Sequence, residues 1–157
     1  MEDVKRILVV SRMEKASLKA FHYGLSLARD TGAELFLMHA IWNPFGFSLE
    51  GWSLPIWNLE QEYKKLVEDT KRKLHDMVAA EDKKGIKITE MVVEGEPTKE
   101  IIKTVRENDI DLLVLSGHPE NRMEHMLFGR STDELIRKLP CSVFLVKKEP
   151  DQSPRIA

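Results

Sequence analysis

The chain has 157 residues, 24 Lys and Arg against 26 Asp and Glu, a formal net charge of −2 and 42% hydrophobic residues. So even a balance excludes recruitment to nucleic acid or an anionic membrane by bulk charge, and a single cysteine, Cys141, excludes a disulfide framework or a Cys-rich zinc site. One domain with a real core is expected; the apolar runs are too short to span a bilayer, and MEDVKRILVV lacks the apolar stretch and cleavage site of a signal peptide, so a cytoplasmic protein is expected.

Arg6–Val10 (RILVV) reads as a central parallel strand because it is short, apolar and β-branched. Residues 11–14 turn the chain. Leu18, Phe21, Leu25 and Ala28 then recur at helical spacing, and Asp30-Thr31-Gly32 closes that helix with a glycine cap. Glu34–Ile41 is the second strand. Trp42–Trp57 keeps neither a strand nor a helix period, yet holds all three tryptophans, so a long loop is expected there. Such an apolar loop either folds its aromatics onto the sheet or offers a surface to a protein partner; partial packing with a partner role is favoured.

Leu59–Ala80 reads as an amphipathic helix, with Leu59, Tyr63, Leu66, Val67, Leu74, Met77 and Val78 on one stripe. Its charged residues are read as a solvated face. After Gly85, Ile86–Val93 is the third strand, and its early alternation suits a half-exposed edge. Gly95-Glu96-Pro97-Thr98 opens a helix with proline in its first turn; Ile101, Ile102 and Val105 face the sheet, and Asn108-Asp109 ends it. Leu112–Leu115 is the fourth strand. From Thr132, the residues Leu135, Ile136 and Leu139 mark another helix, which Pro140 stops before a fifth strand, Val143–Val146. Residues 1–148 are read as one domain and 149–157 as a frayed tail. Alternation of strand and helix implies an α/β protein whose mainly parallel sheet is covered on both faces.

The stretches KRILVV, ARDTGAELFLMHAI, EGEPTKEIIKTVRENDIDLLVLSGH and FGRSTDELIRKLPCSVFLVKK together resemble the universal stress protein family over nearly the whole chain. The resemblance implies a three-layer α/β/α fold of the adenine-nucleotide α-hydrolase-like class, with a five-stranded parallel sheet in order 3-2-1-4-5. It also implies a homodimer joined through the last strand, here Val143, Phe144, Leu145 and Val146. Family members that bind ATP carry a loop Gly-x2-Gly-x9-Gly-Ser/Thr after the fourth strand. Gly117 fits its first glycine and Gly129 its third. Glu120 stands at the second, with only eight residues between it and Gly129, one fewer than the motif has, and Arg130 takes the hydroxyl position with Ser131 after it. Arg12 stands where nucleotide-binding members carry an acid for the ribose, and Ala40 where the backbone would meet adenine. A carboxylate beside a triphosphate repels it by about 4 kcal/mol at ~4 Å and an effective dielectric near 20. The loop is therefore read as degenerate and no cofactor is expected, although Arg12 and Arg130 offer a rebuilt anion site as an alternative in which ATP or another adenine nucleotide binds.

Each remaining candidate has a blander reading beside it. Arg12 and Arg130 could each pair with a nearby carboxylate. His39 suits a hydrogen-bonded structural histidine better than a pH sensor. His118 and His125, with Glu120 and Glu124, share a loop that presets no metal geometry, so no metal is expected. Cys141 reads as an inert core or interface thiol. No nucleophile elbow, triad order, Walker loop or strand-one dinucleotide fingerprint is present. The expected function is thus non-enzymatic: a stress-response or regulatory protein acting through dimerisation and partner or small-ligand binding, without nucleic acid or membrane.

Overall fold

The computed structural model describes residues 3–12, 15–42, 57–81, 83–117 and 134–147. Its strands are β1 (Arg6–Val10), β2 (Glu34–Ile41), β3 (Ile88–Glu94), β4 (Leu112–Ser116) and β5 (Ser142–Val146), interleaved with helices α1 (Lys15–Thr31), α2 (Trp57–Ala79) and α3 (Pro97–Glu107). Residues 134–138 form a further helical stretch before β5. All neighbouring strands pair in parallel, in the order β3-β2-β1-β4-β5.

β1 is central because its side chains have somewhere apolar to go on either side. Ile7 and Val9 join Leu35, Leu37 and Val114 beneath Phe21 and Leu25 of α1 and Leu74 and Val78 of α2. Leu8 and Val10 join Phe36, Met38 and Leu113 beneath Ile101 and Val105 of α3 and Leu135 of the 134–138 stretch. Each such side chain contributes roughly 1.5–3 kcal/mol when fully buried, whereas an exposed ion pair rarely reaches about 1 kcal/mol. These two apolar layers therefore set the fold, and the surface charges decorate it.

The expected elements are present, with differences at their margins. β3 runs from Ile88, not Ile86, because Ile86 still closes a turn through its N–H to the Lys83 carbonyl at 2.7 Å. It is an edge strand, and Glu90 and Glu94 are exposed. The α2 stripe is narrower than its apolar residues suggest: Leu59 and Leu66 are 47% and 51% exposed. The buried line is Val67, Thr70, Leu74 and Val78. Thr70 joins it because its hydroxyl donates to the Leu66 carbonyl at 2.7 Å, leaving no unsatisfied donor. Leu18 on α1 and Ile136 near the C-terminus also lie outside the core, at 39% and 57% exposure.

Asp111 fastens the start of β4 to the start of β1. One carboxylate oxygen accepts the backbone N–H groups of Lys5 and Arg6 at 2.8 and 2.9 Å, and the Asp111 N–H donates to the Arg6 carbonyl at 3.0 Å. Charge-assisted bonds of this kind contribute about 1.5–3 kcal/mol when shielded, and less where water competes. Asp111→Ala should therefore lower stability by about 1–2 kcal/mol in urea unfolding, and Asp111→Asn by less. Equal losses in the two variants would show that the acceptor itself matters little.

Candidate functional site

β1 and β4 are neighbours, but the chain moves outward from them in opposite directions, to β2 and β3 on one side and to β5 on the other. Their shared carboxyl end is the topological switch point, where open α/β sheets take their ligands. Arg12 follows β1 there and Gly117 follows β4. Ala40 lies one strand away, near the end of β2, half-buried on the α3 side of the sheet. The structure thus brings Arg12, Ala40 and Gly117 to one end of three adjacent strands. Gly129, Arg130 and Ser131, and the loop carboxylate Glu120, lie outside the described residues, as does 43–56 of the tryptophan-rich stretch.

The turn carrying Arg12 is well fixed. The Ser11 N–H donates to the Met38 carbonyl at 2.7 Å, extending the β1–β2 ladder by one residue. The Arg12 N–H donates to the Ser17 hydroxyl oxygen at 2.8 Å, and Ser17 is itself buried in α1. Arg12 is half-buried, and one terminal nitrogen of its guanidinium is shut off from solvent. A fixed cation therefore stands at the end of β1.

Gly117 is held from the other side, its N–H donating to the Val146 carbonyl at 2.7 Å. Its φ is not among the positive values found at Gly32, Gly85 and Gly95. A Cβ built on it would meet Leu145 Cγ and the Val146 carbonyl at an ordinary 3.5 Å. Neither backbone conformation nor packing among the described residues demands glycine at this position.

His39 is a structural group. Its Nδ1–H donates to the Ser11 carbonyl at 2.7 Å, which leaves Nε2 as the free acceptor of a neutral ring. Burial lowers its pKa below the ordinary 6.5, and the bond to Ser11 offsets that only in part. The unfolded chain therefore takes up this proton first as pH falls. The associated stability is complete above pH 6.5 and is lost as pH drops toward the folded pKa. His39→Asn, which can keep the donor, should flatten the loss of melting temperature between about pH 7.5 and about pH 5. An unchanged slope would assign that loss to other groups.

The start of α3 is also at the carboxyl end of the sheet, but it is already occupied. Glu96 accepts the Thr98 and Lys99 N–H groups, both at 3.0 Å, and so fills the helix N-terminus with its own carboxylate. Pro97 marks the helix start in the sequence, and the carboxylate directly before it is a further signal of the same start that the proline alone does not carry.

Cys141 is half-buried, and burial raises its thiol pKa, which keeps it mainly protonated and poorly nucleophilic at neutral pH. Among the described residues, no group of three or more His, Cys, Asp or Glu is placed to hold a metal, and no helix is long and apolar enough to cross a membrane. The expected interface residues Val143, Phe144 and Leu145 are 36%, 37% and 51% exposed on β5, at the sheet's second edge. Val146 is 5% exposed and its side chain belongs to the chain's own core.

The family model described as the universal stress protein family matches residues 3–147. A universal stress protein of Methanocaldococcus jannaschii is 27% identical over 147 residues, which cover 92% of this chain and 82% of that one. Among solved structures, universal stress protein UspA from Lactobacillus plantarum is similar with a TM-score of 0.65 and 17% identity, over 93% of this chain and 99% of that chain. A universal stress protein from Archaeoglobus fulgidus, solved in complex with dAMP, is similar with a TM-score of 0.55 and 17% identity, over 94% of this chain and 100% of that chain. With the strand order, the paired register and a match that spans almost every element, this chain belongs to the universal stress protein family.

Proposed function

We propose that the protein is a non-enzymatic regulatory member of its family that works as a homodimer joined through β5 and binds a partner or a small ligand. The observation that carries this reading is the second edge of the sheet, where Val143, Phe144 and Leu145 stand exposed on a strand paired on one side only. An apolar edge of this kind invites pairing, and a twofold axis would close it on itself. Sedimentation at micromolar concentration should give twice the 18.1 kDa chain mass, and a single-chain mass would overturn the dimer.

A second reading is an adenine-nucleotide switch with a rebuilt site. Gly117 favours it, being glycine without a backbone reason at the place where ligands enter. Arg12 supplies a fixed cation there, and the Archaeoglobus fulgidus relative was solved with an adenine mononucleotide. A monophosphate carries less charge toward Glu120 than a triphosphate does, so AMP should bind better than ATP. Calorimetry with AMP, ADP and ATP on wild type, Arg12→Ala and Arg130→Ala tests it. Binding unaffected by both substitutions, or tightest for ATP, would sink the rebuilt site.

A further inference from the structure

Away from the switch point and from β5, the outer surface of α3 meets the 134–138 helix in an open groove of about 460 Å³, lined by Lys99, Ile102, Lys103, Arg106, Glu107 and Lys138. Lys99, Lys103 and Arg106 fall four and then three residues apart, so one helix face presents all three. Lys138 joins them from a segment distant in sequence, and it is bonded to Glu134 at 2.6 Å. Lys99 stands near enough to Glu134 to help hold its carboxyl below the ordinary value, after Lys138, whereas Lys103 and Arg106 form no ion pair among the described residues. With Glu134 counted beside Lys138, four cations and two carboxylates leave two net positive charges on a protein whose overall charge is −2. The floor between them is Ile102, half-buried against the core.

We propose that this groove docks an acidic segment of a partner protein, with carboxylates on the α3 cations and an apolar side chain on Ile102. The cationic stripe is about 10 Å long, at ~1.5 Å per helical residue. That is the length of roughly three residues of extended chain, so a short acidic stretch of a peptide matches it. A nucleic acid matches it less well. Its phosphates continue beyond the stripe, where Glu107 and Glu134 stand, and no lining residue is aromatic to receive a base. The site is independent of the nucleotide crevice and of the β5 edge, so its fate is separable from theirs.

The test uses the full chain and a fluorescein-labelled peptide of about ten residues carrying four glutamates around two leucines. Fluorescence anisotropy should show saturable binding that weakens as salt rises from about 20 to about 200 mM, where the screening length falls below the length of the groove. Lys103→Glu together with Arg106→Glu should weaken it by at least about tenfold. Lys71→Glu with Arg72→Glu makes the same net change on α2 and should leave binding unchanged. Equal weakening by the two pairs would reduce the effect to net charge and overturn the site. So would equal binding of the glutamine version of the peptide, tighter binding of a deoxythymidine oligonucleotide of similar length, or no saturable binding at all.

Discussion

Gly24→Ala should destabilise the protein by about 1–2 kcal/mol, although alanine normally favours a helix interior by about 1 kcal/mol. Gly24 lies buried in the middle of α1, and a Cβ there would stand 2.4 Å from Val9 Cγ2 and 3.4 Å from Leu35 Cδ1. Val9 is fully buried in the central strand, and its branched side chain has little rotamer freedom with which to yield. Overpacking a tight core costs about 1–3 kcal/mol, which outweighs the gain in helix propensity. Val9→Ala alone should cost about 2 kcal/mol through lost contacts and the cavity left behind. In the double variant the new methyl enters the vacated space, so the loss should fall short of the sum by at least about 1 kcal/mol. Each kcal/mol moves the melting temperature by about 2–4 °C in a chain of this size. Additive losses would mean that α1 and β1 do not touch at Gly24. The contact also bears on the site, because the seat of α1 on β1 fixes Ser17, which holds the Arg12 N–H at 2.8 Å.

That glycine had no voice in the sequence pattern. It sits between Phe21 and Leu25 on a helix whose periodicity is legible without it. Periodicity reports which face is apolar and says nothing of how closely that face approaches a strand. The same blindness explains Leu59 and Leu66. Both are apolar and near the right spacing, yet the sheet covers only the line from Val67 to Val78, with Thr70 admitted by a bond to its own helix. By contrast β1 and β2 were legible to the residue, since short β-branched or apolar runs flanked by turn residues leave few alternatives. Strand order came only with the family resemblance, because pairing depends on contacts between elements that no local pattern encodes.

The site divides in the same way. Gly117 is legible from its place just beyond a strand's carboxyl end, whereas Arg12 and Ala40 come with the family resemblance; the three strand ends do converge. His39 was legible as a strand-end histidine, and the structure gives it the blander of its two roles. Glu96 was missed because its work is to cap a helix already announced by Pro97. The cations of the α3 groove escaped for a different reason. Lys99, Lys103 and Arg106 share a helix face, but the fourth, Lys138, joins them only after the last βαβ unit has folded.

Val143→Glu combined with Leu145→Glu should convert a species of twice the chain mass into a single chain of about 18.1 kDa, without loss of secondary structure. The two edges of the sheet are guarded differently. β3 exposes Glu90 and Glu94, which discourage a second strand from docking, whereas β5 (SVFLV) carries no charge at all. Phe144 packs on the α1 side against Tyr23, with ring centroids 5.7 Å apart. Val143 and Leu145 point to the opposite face, where carboxylates can be introduced at positions already 36% and 51% exposed in the single chain. Two copies paired about a twofold axis would bring like charges to within about 5 Å in one register or another. That repulsion is about 3 kcal/mol for each close pair at an effective dielectric near 20. Burial of the apolar side chains, roughly 1.5–3 kcal/mol for each fully covered residue, is lost as well. Together these raise the dissociation constant by at least about a thousandfold. Lys64→Glu with Lys71→Glu on the solvated face of α2 should leave the mass doubled. If the β5 variant also keeps the doubled mass, the copies meet elsewhere, and the exposed edge has another occupant.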